Sequence, residues 1–220
     1  MTRFLLCILL VCILSGTICT TQKSSPAESE IHKLVMKDQD DRIQDRPNMN
    51  ANDAVRRKRV HQLLDEGGLR AGQDFSDAAI IFQHGTQPDD YLLAHVLAMI
   101  AVAKGDKNAP EITAITLDRY LQSIGQSQIF GTQYLDSGYS KQLQAKNCRQ
   151  NNANKKAAGT GQTNAQKSNS IVQEPYNSSL ISDSLRKLYC VAGMDQQIKN
   201  LASLNAGTGM PEQPKSRCAE

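Results

Sequence analysis

The sequence predicts an all-α fold, a compact helical bundle of stacked antiparallel helical hairpins. Apolar residues recur at helical spacing in five segments between residues 25 and 124, and proline or glycine marks most of their ends. No segment of this region alternates apolar and polar residues over the length that a half-buried strand needs. The chain has 220 residues, 40% of them hydrophobic, which is enough for one domain with a core of useful size.

The first 20 residues are predicted to be a secretory signal peptide. Arg3 precedes an unbroken apolar run over residues 4–14, and small residues follow at 15–17. The run of 11 residues is well short of the ~20 that a membrane-spanning helix needs, so a retained anchor is the less favoured alternative. Lipoprotein anchoring at Cys19 is a second, less favoured alternative, because Ile18 stands where a small residue usually precedes the lipidated cysteine. We therefore expect an exported chain, periplasmic or secreted, with no transmembrane segment after cleavage.

Two helices are predicted in the first part of the exported chain. The first begins with a capping box over residues 25–28 and runs to about Asp45. The second runs over residues 53–66. Its basic run, residues 56–59, is interpreted as a solvated face because acidic residues lie on the same helix, and contact with an anionic surface is the less favoured alternative.

Three further helices are predicted before residue 125. The third is capped by Asp74 and stopped by Gly85, and the fifth runs over residues 108–124. The fourth runs over residues 88–103, and His95 is the only polar residue in its last twelve. A helix that is apolar on every side is buried on every side, so the fourth helix is predicted to be central and His95 to be a satisfied core histidine.

Composition divides the rest of the chain. Residues 141–170 are rich in Asn, Gln and Lys and are predicted to be a disordered insertion, because they have too few large apolar side chains to offset the entropy of ordering. Residues 171–205 are predicted to form C-terminal helices that pack on the helical domain, which covers residues 21–140. Residues 206–220 are predicted to be a flexible tail.

Four short motifs follow one another along the chain: Asp38-Gln39 with Arg42, Gln83-His84-Gly85, Leu117-Asp118-Arg119-Tyr120 and Gln128-Ile129-Phe130-Gly131-Thr132-Gln133. Their order and spacing resemble the signature of an uncharacterised, often exported bacterial domain family, a domain of unknown function. The resemblance covers roughly residues 35–140 and, more weakly, 171–205. The chain departs from the family pattern in its Asn-rich insertion and in Phe130, where tyrosine is common. The resemblance implies a helical domain and a bacterial source, and it implies no activity.

The polar residues of these motifs are the candidate site, and we expect them to form one network at one end of the bundle. They are Asp38, Gln39, Arg42, Gln83, His84, Asp118, Arg119, Gln128, Thr132 and Gln133. Asp118 is predicted to be at least half buried and to need a positive partner, for which Arg42 and Arg119 are the nearest candidates. Such a network either fixes how the helices meet or lines a cleft. His84 is either a helix-capping residue or a residue with a functional role, as a general acid or base or in ligand binding.

The sequence lacks the standard signatures of catalysis and cofactor binding. The motifs G-x-S-x-G, H-E-x-x-H, C-x-x-C and G-x-x-x-x-G-K-[ST] are all missing, so no metal site and no cofactor are predicted. The formal net charge of +3 disfavours a nucleic-acid binder. We predict a non-enzymatic binding or interaction module whose partner is a protein or an envelope component. The alternative is an enzyme, such as a hydrolase, or a small-molecule receptor with a polar pocket around His84, Asp118, Arg119 and Gln133.

Three cysteines remain after removal of the signal peptide, namely Cys148, Cys190 and Cys218, so at most one internal disulfide can form. Cys148 and Cys190 flank the predicted insertion, and a bridge between them would tie the C-terminal helices to the bundle. The alternative is that Cys190 is a buried thiol and that Cys218 is exposed on the tail.

Overall fold

The structure is a computed structural model that describes residues 29–153 and 170–209, with the backbone alone described over residues 146–153. The predicted signal peptide, the alternative lipidation site Cys19, the capping box, the middle of the predicted insertion and the end of the predicted tail lie outside the described residues.

The described residues form helices and one short two-stranded sheet, which confirms the all-α fold class. In chain order, the elements are α1 (Glu30–Ile43), α2 (Met49–Asp65), α3 (Gly72–Gln83), α4 (Pro88–Ala103), α5 (Ala109–Ser123), β1 (Leu135–Asp136), α6 (Ser137–Ala153), β2 (Ile171–Val172), α7 (Asp183–Leu188) and α8 (Met194–Asn205). Within the described ranges, no helix combines the length and the apolar character that crossing a membrane requires.

The first helix starts later than the sequence predicts. Ser29 is extended, with φ −65° and ψ 152°, and its hydroxyl accepts the N–H of His32 at 3.3 Å. The Ser29 hydroxyl thus satisfies one of the free N–H groups in the first turn of α1. Ile31, in the same turn, is the first core residue of the helix. The predicted start at residue 25 is therefore wrong for α1, which begins at Glu30.

The predicted cap Asp74 and the predicted start Asp53 both lie inside their helices. α3 begins at Gly72 because the carboxylate of Asp74 accepts the N–H of Ala71 at 2.8 Å from within the first turn. α2 begins at Met49. The predicted start at Asp53 is wrong because that side chain is buried against arginines in the second turn, where it caps nothing.

The central helix is α3, which packs against α1, α2, α4 and α5, whereas α4 packs against α3 and α5. The buried apolar residues of α4 are Ala94, Leu97, Ala98 and Ala101. The exposed ones on its opposite side are Leu92, Val96, Met99 and Val102. The prediction of a fourth helix that is central and buried on every side is wrong, because the described helices cover only one of its sides.

Residues 170–209 form a C-terminal unit that is joined to the bundle through the segment between α5 and α6. β1 pairs antiparallel with β2, with Leu135 opposite Val172. An isolated bridge also joins Gln128 to Tyr176. A small apolar cluster between the two parts consists of Ala114, Phe130 and Val191. The C-terminal unit thus packs on the segment before α6.

The first part of the predicted insertion is helical. In α6, the buried Ser140 donates its hydroxyl to the carbonyl of Glu174 at 2.5 Å, and Leu143 is also buried. The prediction of disorder is therefore wrong for residues 141–153. Composition missed this helix because two anchored side chains in its first turns fix a segment that is otherwise polar.

Candidate functional site

The structure gathers the ten predicted site residues into two adjoining clusters. The Asp38 cluster, between α1, α2 and the end of α3, contains Asp38, Gln39, Arg42 and His84. The Asp118 cluster, between α5 and the segment after it, contains Asp118, Arg119, Gln128, Thr132 and Gln133. Gln83 lies between them, since its backbone carbonyl accepts a hydrogen bond from Arg119.

Asp38 is fully buried and is surrounded by cationic and amide groups. Its Oδ1 accepts from Arg42 Nη1 and its Oδ2 from Gln39 Nε2, both at 2.8 Å. His84 Nδ1 lies 3.0 Å from Oδ2, an ion-pair distance, without the alignment of a hydrogen bond. Burial alone would raise the pKa of Asp38, but the close approach of His84 and the charges of Arg42 and Arg56 outweigh it and hold that pKa below its ordinary value.

Three further residues complete the Asp38 cluster, and the sequence analysis did not place them there. Asp53 accepts from Arg42 Nη2 and from Arg56 Nη1, each at 2.8 Å. Arg56 also pairs with Asp41. Carboxylates and guanidinium groups therefore alternate between α1 and α2, which satisfies each buried charge with an opposite one.

The interpretation of residues 56–59 as a solvated face is wrong for Arg56, which is buried. The helical spacing of the residues around Arg56 indicates that its side chain is buried. Asp53, Arg56, Arg57 and the buried Val60 follow at i, i+3, i+4 and i+7 and therefore share the inner side of α2. Lys58, which falls outside this spacing, is exposed.

The motif at residues 83–85 is the C-terminus of α3, and three neighbouring helices donate to its carbonyls. The bonds are Arg119 Nη1 to Gln83 O at 2.7 Å, Arg57 Nη1 to His84 O at 3.0 Å and Tyr91 Oη to Gly85 O at 2.8 Å. The last carbonyls of a helix have no partner within the helix and carry the negative end of its dipole. Basic side chains from α2 and α5 therefore cap α3 and join it to its neighbours.

Asp118 is 0% exposed, and its carboxylate binds a loop of its own chain. Oδ1 accepts the backbone N–H of Ile129 at 2.8 Å and that of Phe130 at 3.0 Å. Oδ2 accepts both the backbone N–H and the hydroxyl of Thr132 at 2.9 Å. Converging backbone N–H groups stabilise a carboxylate as a cation does, so Asp118 is satisfied without an arginine.

The expectation of Arg42 or Arg119 as the partner of Asp118 is wrong. Arg119 donates through Nε to Gln133 Oε1 at 3.1 Å, and it lies over the ring of Tyr91. Burial, followed by the nearby charge of Arg42, lowers the pKa of Arg119. No carboxylate of the described residues is within ion-pair distance of this guanidinium, which is instead held by neutral acceptors.

Gln128 fixes the two ends of the loop to each other and to the C-terminal unit. Its Nε2 donates to the carbonyl of Gln133 at 2.9 Å and also to the carbonyl of Gln173, and its Oε1 accepts the N–H of Gln133 at 3.0 Å. The amide is fully buried and uses both its donor and its acceptor capacity within the fold.

The C-terminal unit holds the same loop from the other side through residues that the candidate set omitted. The bonds are Gln197 Nε2 to Phe130 O at 2.8 Å, Gln173 Nε2 to Gly131 O at 2.7 Å and Arg186 Nε to Phe130 O at 3.4 Å. Arg186 is buried and also donates to Tyr176 Oη at 2.9 Å. The motif loop is therefore enclosed between Asp118 and these amide and guanidinium groups.

None of the ten candidate residues lines the groove between α1 and α2. This open groove has a volume of about 450 Å³, and its lining residues are Leu34, Lys37, Asp40, Asp41, Arg46, Asn52, Val55 and Arg56. No group of three or more His, Cys, Asp or Glu side chains among the described residues is placed to hold a metal ion. His95, outside both clusters, donates from Nδ1 to the carbonyl of Thr113 at 3.1 Å.

Cys190 is buried directly after α7 and is disulfide-bonded. The alternative of a free buried thiol at this position is therefore wrong. The side chain of Cys148 and the whole of Cys218 lie outside the described residues, so the pairing of Cys190 with Cys148 stays a prediction.

Comparisons of the chain with protein-family models, with curated proteins and with solved structures find no match in any of the three.

Proposed function

We propose that the protein is an exported helical module that binds a protein or an envelope component and catalyses no reaction. The observation that carries the proposal is Asp118, whose buried carboxylate accepts four hydrogen bonds from its own chain. A general acid, base or nucleophile must reach its substrate. A carboxylate whose acceptor sites are filled by the fold has none left for that purpose.

The outer side of α4 is an apolar surface that a partner could cover. Leu92, Val96, Met99 and Val102 are exposed along three turns of α4. Clustered apolar side chains on the surface of a domain are typical of a site that another protein covers. The buried polar groups of the Asp118 cluster are thus bonded within the fold, whereas the outer side of α4 offers apolar groups to a partner.

Export, to the periplasm or beyond the cell, belongs to the same proposal. It rests on the predicted signal peptide over residues 1–20, with lipidation at Cys19 as the less favoured alternative and a bacterial source implied by the family resemblance. The disulfide at Cys190 supports an oxidising compartment. N-terminal sequencing of the protein recovered from expressing cells tests this part, and a chain that still begins at Met1 contradicts it.

Thermal unfolding of two variants tests whether the candidate residues build the fold. Arg119→Ala removes a donor to the end of α3 and to Gln133, and Gln133→Ala leaves Arg119 Nε without its acceptor. We expect each variant to lose about 2 kcal/mol of the free energy of unfolding. The exposed Arg70 and Gln126 provide matched controls, and we expect Arg70→Ala and Gln126→Ala to change it little.

The opposite result would favour an enzyme or a small-molecule receptor. Residues held for a ligand are arranged at some expense of stability, so their replacement is tolerated or even stabilising. If Arg119→Ala and Gln133→Ala unfold at or above the temperature of the unmodified protein, the non-enzymatic proposal is overturned.

A further inference from the structure

The outer face of α4 carries a regular stripe. It consists of Asp89, Leu92, Val96, Met99 and Ala103, all exposed, at successive intervals of three, four, three and four residues. Alternating steps of three and four average 3.5, the repeat that lets two helices pack along a common seam. The spacing therefore suits a second helix, and α3 and α5, on which α4 packs, leave this side uncovered.

We propose that a second copy of this chain covers the stripe, with its α4 antiparallel to the first. This inference rests on the proposed function and deepens it by naming the partner. An interface between identical surfaces must be complementary to itself, so each end of the stripe must match the other end.

The charges at the two ends of α4 meet this condition. Asp89 lies in the first turn, and Lys107 follows the last turn, both of them exposed. Lys104, also exposed, lies over the ring of Phe75 on α3. Within the described ranges, neither Asp89 nor Lys107 has an ion-pair partner. An antiparallel pair sets the acidic end of each helix against the basic end of the other, twice over, whereas a parallel pair sets Asp89 against Asp89.

One antiparallel register also fits the side-chain sizes. It places Val96 opposite Met99 and Leu92 opposite Ala103, so that a large side chain meets a small one in the outer layers. The same register brings Asp89 to the end of α4 of the other copy, which Lys107 follows. Asp106, near the same end, accepts hydrogen bonds from the hydroxyl of Ser76 and the N–H of Asn108.

Sedimentation equilibrium on the protein recovered from cells that express the full chain tests the assembly. We expect a monomer–dimer equilibrium between about 1 μM and about 1 mM, with no covalent dimer on a non-reducing gel. A chain that remains monomeric up to about 1 mM overturns the proposal, and the stripe is then open to a helix of a different protein.

Two methionines of equal exposure give a matched pair of variants. Met99 on the stripe is 55% exposed, and Met36 on α1 is 54% exposed. Met99→Glu places two carboxylates in the seam, one from each copy, and we expect it to weaken dimerisation at least about tenfold. Met36→Glu should dimerise as the unmodified protein does. Equal effects of the two substitutions overturn the assignment of the stripe, and thermal melts check that both variants are folded.

Charge reversal tests the antiparallel orientation. Two single variants are made, Asp89→Lys and Lys107→Asp. Each should weaken self-association about three- to tenfold, because it places like charges at both ends of the helix pair. Mixing the two variant chains restores both ionic contacts, and we expect the mixture to associate more tightly than either variant alone. A mixture that associates no better overturns the orientation.

Failure of this inference is distinguishable from failure of the proposed function. A monomeric chain in which Arg119→Ala and Gln133→Ala are destabilising overturns only the second copy as partner. Tolerance of those two substitutions overturns the proposed function whatever the assembly state.

Discussion

Thr132 donates both its backbone N–H and its hydroxyl to the same carboxylate oxygen of Asp118, each at 2.9 Å. The other oxygen of that carboxylate holds Ile129 and Phe130. The buried side chain of Asp118 on α5 therefore fixes the loop against which the C-terminal unit packs. This arrangement gives the acidic motif residue a structural role that involves no cation.

We expect Asp118→Asn to lower the free energy of unfolding by about 3 kcal/mol. The amide retains one acceptor oxygen, and its NH₂ group faces N–H donors that then lack a partner in a buried site. Urea-induced unfolding measures the change. The exposed Asp65 near the end of α2 serves as control, since Asp65→Asn should change stability little. A loss below about 1 kcal/mol for Asp118→Asn would contradict the role of the carboxylate.

Gly131 and Gly105 form a second matched pair, because both have φ of +80°. A Cβ at Gly105 meets nothing within 4 Å, so Gly105→Ala should cost only the strain of the left-handed backbone, about 1 kcal/mol. A Cβ at Gly131 collides with Gln197 Oε1 and lies 2.5 Å from Tyr176 Oη. We expect Gly131→Ala to lose about 2 kcal/mol more than Gly105→Ala in thermal unfolding, because the C-terminal unit must shift. Equal losses would mean that this unit is not packed on the loop.

The helices of the bundle were largely predictable because their signals are local. The period of apolar residues and the terminal proline or glycine predict α4 and α5 to within about one residue at each end. The same signals do not predict which side of α4 is buried, since that depends on which helices pack beside it. Polar anchoring made α6 unpredictable from composition, because Ser140 is fixed by the distant carbonyl of Glu174.

The partners within the candidate site were less predictable than its members. Nearly every residue has a backbone N–H group, whatever its side chain. The sequence therefore does not distinguish a carboxylate that binds the backbone of a loop from one that needs a cationic partner. The contact of Arg186 with the motif loop was not predictable locally, because its acceptor on Phe130 lies 56 residues away. By contrast, the burial of Arg56 was predictable from its helical spacing with Val60.

His95 should make the free energy of unfolding fall as the pH drops below about 6.5. Burial lowers its pKa below the ordinary value of 6.5, and the hydrogen bond to the carbonyl of Thr113 offsets this in part. The folded state therefore binds the proton less readily than the unfolded state. The contribution of His95 to stability is present above pH 6.5 and is lost as the pH falls toward the folded pKa, by at most about 1.4 kcal/mol per pH unit.

Unfolding measured from pH 7.5 to pH 5, in the unmodified protein and in His95→Gln, isolates this effect. We expect the slope of stability against pH to be smaller in the variant. The difference between the two proteins is the quantity to compare, because every other titrating group is common to both. Identical slopes in the unmodified protein and His95→Gln would show that His95 is not desolvated.

The disulfide of Cys190 should be recovered, on non-reducing peptide mapping, as a peptide linked to Cys148. Closing a loop of about forty residues stabilises by roughly 4 kcal/mol in the chain-entropy model, so Cys190→Ser should lower the free energy of unfolding by that order. If the two sulfurs form one bridge, Cys148→Ser has the same cost, and the double variant is no less stable than either single variant. Cys218→Ser is the control and should leave stability unchanged. A linked peptide that contains Cys218, or additive losses in the double variant, would contradict the pairing.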